Sequence, residues 1–101
     1  MSTTVLLLGR TSIALADVRE RMKMPSVEFR AGTGLDDVRG AFDEGPVDIV
    51  IMGAGIDLET RLDIVRHIFS VSTRTTVHMK DRESGPQGML PFVGGVLRGL
   101  A

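Results

Sequence analysis

Two stretches of this chain carry side chains able to do chemistry. The first is Gly9-Arg10-Thr11-Ser12, directly after the apolar run Val5-Leu6-Leu7-Leu8. A guanidinium beside two hydroxyls, in a turn that leads into a helix, is equipped to hold a phosphate or carboxylate. The second is His78-Met79-Lys80-Asp81-Arg82-Glu83, where five ionisable side chains fall within six residues. An imidazole can serve as general acid or base, the role open to His78, while Lys80 and Arg82 can hold an anion. Asp57, after Gly53-Ala54-Gly55-Ile56, is either the N-cap of a helix or the carboxylate of a catalytic group with His78 and Lys80. The plainer alternative is that the charges after His78 solvate an exposed turn, and that the glycines merely end strands.

Several established chemistries find nothing to rest on. Gly9-Arg10-Thr11-Ser12 is neither G-x-G-x-x-G nor the P-loop G-x-x-x-x-G-K-[ST], and Gly32-Thr33-Gly34 and Gly53-Ala54-Gly55 follow the wrong strands for either fingerprint. No serine sits in a G-x-S-x-G elbow. His67 and His78 are not an i, i+4 pair, and His67 falls with Thr60 and Asp63 on a polar arc where a solvated side chain is expected. Asp36-Asp37 reads as compensation of a helix dipole rather than a metal site. The chain of 101 residues has no cysteine, so a thiolate site, a disulfide and a cysteine nucleophile are excluded. No metal and no cofactor are expected.

Positioning these residues falls to four apolar runs alternating with four helix-like segments. The runs are Val5 to Leu8, Val27 to Arg30, Val47 to Met52 and Thr75 to Met79. Such alternation predicts βαβ units and a parallel sheet. In the first helix Leu15, Val18 and Met22 share a face; in the second, Leu35, Val38 and Phe42 do, before the stop at Gly45-Pro46. The third is expected to bury Leu58, Leu62, Val65 and Phe69. The fourth gathers Met89, Leu90, Phe92, Val93, Val96, Leu97 and Leu100 into one apolar arc.

Strand composition predicts strand order. Runs one and three are the apolar pair, as central strands covered on both faces are. Run two carries Glu28 and Arg30 and run four carries Thr76 and His78, as edge strands can. Order 2-1-3-4 with right-handed crossovers satisfies both, the flavodoxin-type winding with its fifth strand missing. The expectation is one three-layer α/β/α domain over residues 1–101, with helices one and four on one face and two and three on the other. The winding then reverses between strands one and three, where ligands of such sheets bind. Gly9, Arg10, Thr11 and Ser12 would hold an anion there, Gly53 and Gly55 would admit it, and Lys80 would close the site.

Helix four breaks a rule. Gly94, Gly95 and Gly99 in a helix interior each cost about 0.8–1 kcal/mol relative to alanine. Gly88, Gly95 and Gly99 fall on one stripe, and two readings offset the cost: that glycine stripe packs on helix one within the monomer, or it meets a second copy. A homodimer is the expectation, with Ile64, Ile68, Gly94, Gly95, Arg98 and Gly99 at its interface.

Charge and hydropathy set the remaining bounds. Twelve Lys and Arg against 13 Asp and Glu give a net charge of −1, no electrostatic footprint for nucleic acid. A hydrophobic fraction of 43% argues against disorder. No apolar run reaches the length of a membrane span, and Met1-Ser2-Thr3-Thr4 lacks the basic region of a signal peptide. A cytoplasmic protein with no membrane contact is expected.

At Pro46-Val47-Asp48-Ile49-Val50-Ile51-Met52-Gly53 the chain resembles the third strand of response-regulator receiver domains. Gly53 stands where receivers carry the phosphoacceptor aspartate, and Leu8-Gly9-Arg10 replaces their acidic pair, so the resemblance implies topology without phosphoryl transfer. The first 60 residues are similar to the nucleotide-binding half of Rossmann oxidoreductases, without the fingerprint. The tail, from Thr76-Val77-His78-Met79 through Ser84-Gly85-Pro86 to Leu90-Pro91-Phe92-Val93, resembles small bacterial Rossmann-like or flavodoxin-like α/β proteins, a resemblance that implies no activity. Three functions therefore stand: a module binding an anionic metabolite or nucleotide fragment without catalysis, a small enzyme using His78 with Lys80 and Asp57, or an interaction protein acting through its helical faces.

Overall fold

The computed structural model describes residues 3–10, 15–80 and 88–100. Four strands, β1 (Thr3–Leu8), β2 (Val27–Gly32), β3 (Ile49–Met52) and β4 (Thr76–Met79), alternate with four helices. These are α1 (Leu15–Met22), α2 (Leu35–Glu44), α3 (Leu58–Val71) and α4 (Met89–Leu100). All strand pairs are parallel and the order is β2-β1-β3-β4. β1 and β3 are therefore neighbours, with Leu8 beside Met52 at their carboxyl ends.

Side chains of a strand alternate between faces, and here the alternation sorts the core into two. Leu6, Leu8, Val50 and Met52 meet Val38 and Ala41 of α2 and Ile64 and Ile68 of α3. Val5, Leu7, Phe29, Ile49 and Ile51 meet Val18 of α1 and Val93 and Leu97 of α4. Helices one and four thus cover one face and helices two and three the other, the three-layer α/β/α arrangement that the apolar periodicity predicts.

Short polar contacts hold the ends of the elements. The Asp48 carboxylate accepts from the Thr4 amide at 2.8 Å, and the Asp48 amide donates to the Thr4 carbonyl at 3.0 Å, pinning the start of β1 to the entry of β3. The buried Thr75 hydroxyl donates to the Val47 carbonyl at 2.7 Å. At α2, the Asp37 carboxylate reaches back to the Thr33 amide at 2.7 Å, while Asp36 pairs with Arg39 at 3.8 Å. Both acids stand in the first turn of α2, where negative charge opposes the helix dipole. Gly32 is needed for this: a Cβ there would stand 2.5 Å from the Asp37 Cβ.

Helix α3 departs from the expected phase. Ile64 and Ile68 are fully buried, whereas Leu58, Leu62 and Phe69 are 66%, 42% and 56% exposed, with Val65 at the boundary. The expected core face of Leu58, Leu62, Val65 and Phe69 is corrected accordingly. So is the placing of Ile64 and Ile68 on a surface free to meet a partner. The two apolar arcs lie roughly 100° apart around the axis, and both have the helical period, so pattern alone does not choose between them. Arg61 chooses: it shares the face of Ile64 and Ile68 at i+3 and i+7, and its guanidinium is bound to the sheet edge.

Helix α4 contributes Val93 and Leu97 to the core, with Met89, Leu90, Phe92 and Val96 packed beside them. Gly94 is buried beneath the Arg98 guanidinium, whose Nη1 would lie 3.4 Å from a Cβ at that glycine. Gly95 and Gly99 are exposed, with no atom within 4 Å of an added Cβ. The glycine stripe is therefore not seated on α1, contrary to the within-monomer alternative. No helix among the described residues is long and apolar enough to cross a membrane.

Candidate functional site

The sheet order brings the turns after β1 and β3 to one carboxyl edge, which is where the candidate residues were expected to meet. Backbone bonds knit this edge. The Gly9 amide donates to the Gly32 carbonyl at 3.2 Å, the Gly53 amide to the Leu8 carbonyl at 2.7 Å and the Lys80 amide to the Met52 carbonyl at 2.9 Å. Gly9, Gly53 and Lys80 are thus held in a row across the ends of three strands.

Arg10 and Gly55 face each other across the switch point. Both are exposed, and a Cβ built on Gly55 would lie 2.7 Å from the Arg10 Cβ and 3.5 Å from its Cγ. Only a glycine lets the arginine stem lie this close. Gly53 is different: it is buried, and an added Cβ would face the Leu8 carbonyl oxygen at 3.3 Å and the Met89 sulfur at 3.7 Å. The absence of a side chain at Gly53 makes room for the first turn of α4. Thr11 and Ser12, expected to add donors, lie outside the described residues, as do Asp81, Arg82 and Glu83 of the charged loop.

Arg61 is the residue that sequence reasoning passed over. Its Nε donates to the Ile56 carbonyl at 2.9 Å, and its Nη2 donates to the Gly53 carbonyl at 2.8 Å and the Lys80 carbonyl at 3.3 Å. One planar side chain thus ties the β3–α3 turn to the end of β4. A signal for it was present: Arg61 stands three and seven residues before Ile64 and Ile68, on the face that is buried. Lys80 itself is buried, with 2% of its surface exposed.

The carboxylate and the imidazole of the catalytic alternative are engaged apart from one another. Asp57 is the N-cap of α3, accepting from the Thr60 amide at 3.1 Å and the Thr60 hydroxyl at 2.6 Å. Those bonds hold its carboxyl below the ordinary value, the hydroxyl contributing most. His78 lies beside Ile51 in the sheet register, on the face covered by α1 and α4, and its Nε2 is 3.1 Å from the Thr76 hydroxyl two residues back. Asp57 begins a helix on the opposite face. His67 is half-buried, set edge-on to the Phe42 ring with centroids 6.5 Å apart, rather than fully solvated.

Hollows lined by described residues occur away from this edge. One, at the other end of the sheet, is bordered by Thr3, Met24, Pro25, Ile49 and Leu97. Another runs along β2, where Arg19 donates to the Phe29 carbonyl at 3.3 Å and Arg30 pairs with Glu44 at 3.1 Å.

Fold and edge together define a class: a small α/β protein with a four-stranded parallel sheet, compatible with a flavodoxin-like fold. No protein-family model matches the chain, and neither a curated protein nor a solved structure does.

Proposed function

We propose that this protein is a cytoplasmic module that binds a small anion, a phosphorylated or carboxylated metabolite or a nucleotide fragment, at the β1/β3 switch point without transforming it. One observation carries this reading. Arg10 is exposed at that point, its stem laid against Gly55, and its guanidinium has no hydrogen-bond or ion-pair partner among the described residues. A charged donor presented in this way, at the strand ends where parallel sheets take ligands, is suited to a phosphate or carboxylate. Thr11 and Ser12 would add hydroxyl donors, Gly9 would let the anion approach the backbone, and Gly55 would make room for the Arg10 stem. The buried Lys80 would contribute positive potential from beneath, while Arg61, bound to three carbonyls, would hold the walls rather than the ligand.

Binding accounts for these residues better than turnover does, because His78 and Asp57 are each committed to a threonine on different faces. The test is thermal stability in inorganic phosphate, nucleoside monophosphates and citrate, for the unaltered chain and for Arg10→Glu. The expected result is a ligand-dependent rise that the charge reversal removes. Equal rises in both proteins would overturn the placement at Arg10.

A further inference from the structure

Among the described residues, α3 exposes an apolar flank. Leu58, Leu62 and Phe69 stand 66%, 42% and 56% exposed, Val65 lies between them, and Met79 of β4 adds a 48% exposed side chain. Met79 is paired with Met52, whose side chain is in the α2/α3 half of the core, so Met79 pleats toward the same face as α3. On the other flank of α3, His67 meets Phe42 of α2. The apolar stripe therefore looks away from α2, toward the open side of the sheet.

We propose that this flank binds a second copy of the chain, with the two α3 helices packed antiparallel across a two-fold axis. The spacing of the stripe is the first argument. Positions 58, 62, 65 and 69 follow steps of four, three and four, the seam of paired helices. That pattern is symmetric on reversal. A two-fold axis between positions 62 and 65 sets each Leu58 opposite a Phe69 and each Leu62 opposite a Val65, in four layers without a polar residue.

Charge is the second argument. Glu59 and Arg66 lie seven residues apart along the same border of the stripe. In the antiparallel register Glu59 of one copy falls between the same two layers as Arg66 of the other, twice by symmetry. In a parallel pair this border would face the opposite border of the partner, and Glu59 and Arg66 would not meet. Arg66 is free to make the exchange, since its present pair with Asp63 is an exposed contact at 3.5 Å, of a kind worth little.

Area is the third. With whole side chains of about 200 Å², the exposed parts of Leu58, Leu62, Phe69 and Met79 come to roughly 400 Å² per copy. A stable interface needs about 800 Å² per partner, some 60% of it apolar, so this flank supplies most of the apolar part. The inference stands independently of the anion reading and moves the expected dimer contact from Ile64, Ile68 and the α4 glycines to the Leu58–Phe69 stripe.

Sedimentation equilibrium of the full chain tests it. At tens of micromolar the unaltered protein is expected near twice 10.9 kDa. Leu62→Glu should give the monomer with its far-ultraviolet circular dichroism retained. Glu59→Arg and Arg66→Glu should each loosen the dimer by at least about tenfold, and the double variant E59R/R66E should recover it. Gly95→Ala should leave the mass unchanged. Because the chain has no cysteine, orientation can be read directly. The double variant L58C/F69C should oxidise to a covalent dimer and Leu58→Cys alone should not, since the two positions on one helix lie about 16 Å apart, too far to bridge. A single 10.9 kDa species, a dimer indifferent to Leu62→Glu, a dimer lost in Gly95→Ala, or reversals that fail to rescue each other would each overturn the proposal.

Discussion

The Arg61 guanidinium lies 2.8 Å from the Gly53 carbonyl oxygen, and the same nitrogen reaches the Lys80 carbonyl at 3.3 Å. These two carbonyls end adjacent strands, β3 and β4, so the contact closes the carboxyl edge on the α3 side while Met89 closes it near Gly53 from α4. It also sets the rotation of α3. With Arg61 anchored to the edge, Ile64 and Ile68 are turned onto the sheet and Leu58, Leu62 and Phe69 are turned away.

Arg61→Ala should therefore cost more than a half-exposed arginine ordinarily does. Losing a charged donor to three carbonyls is expected to lower stability by about 2–3 kcal/mol in urea unfolding. Arg61→Lys should recover less than half of that, because an ammonium lacks the planar fork that spans both strand ends. A loss below about 0.5 kcal/mol, the range of an ordinary surface substitution, would show that the edge holds without Arg61.

Gly55 is expected to resist any side chain. Alanine there places its Cβ 2.7 Å from the Arg10 Cβ, a contact that backbone must relieve. The expected cost of Gly55→Ala is about 1–3 kcal/mol. Arg10→Gly removes the opposing atom, so the double variant G55A/R10G should be more stable than the sum of the single effects predicts. A double-mutant cycle measures that coupling, and additive effects would mean the two turns do not touch in solution.

Asp57 links the fold to pH. Its carboxyl is held below the ordinary 3.8 by the Thr60 hydroxyl and amide. A carboxyl whose folded value is depressed favours the folded state above the unfolded value, and that contribution disappears as pH falls through the folded value. The window is therefore below pH 3.8, and the slope has the sign of acid destabilisation. Asp57→Asn keeps a capping oxygen but does not titrate, so its stability should fall less steeply than the parent's on acidification. Parallel acid-unfolding curves would count against the assignment.

Much of the architecture was legible from residue type and spacing. The apolar runs ending at Leu8 and Met52 read as central strands, and the polar residues in β2 and β4 suited those strands to the edges, the order that the sheet has. Asp57 ahead of a helical pattern announced its cap. The meeting of Gly9, Arg10 and Gly55 at one edge followed from that strand order, as did the division of the helices between faces.

Three features were decided only in the folded molecule, and for one physical reason. A periodic pattern says that a helix has an apolar face, but when two arcs have that period the choice depends on atoms distant in the chain. In α3 the choice went to Ile64 and Ile68, because Arg61 finds its carbonyl partners at Gly53 and Lys80 when that side faces the sheet. Gly53, read as room for a ligand, is room for Met89, and Lys80, read as a lid, is buried. Local sequence determined which elements form and in what order; the long-range hydrogen bonds and contacts at the carboxyl edge determined which faces they bury and which remain open.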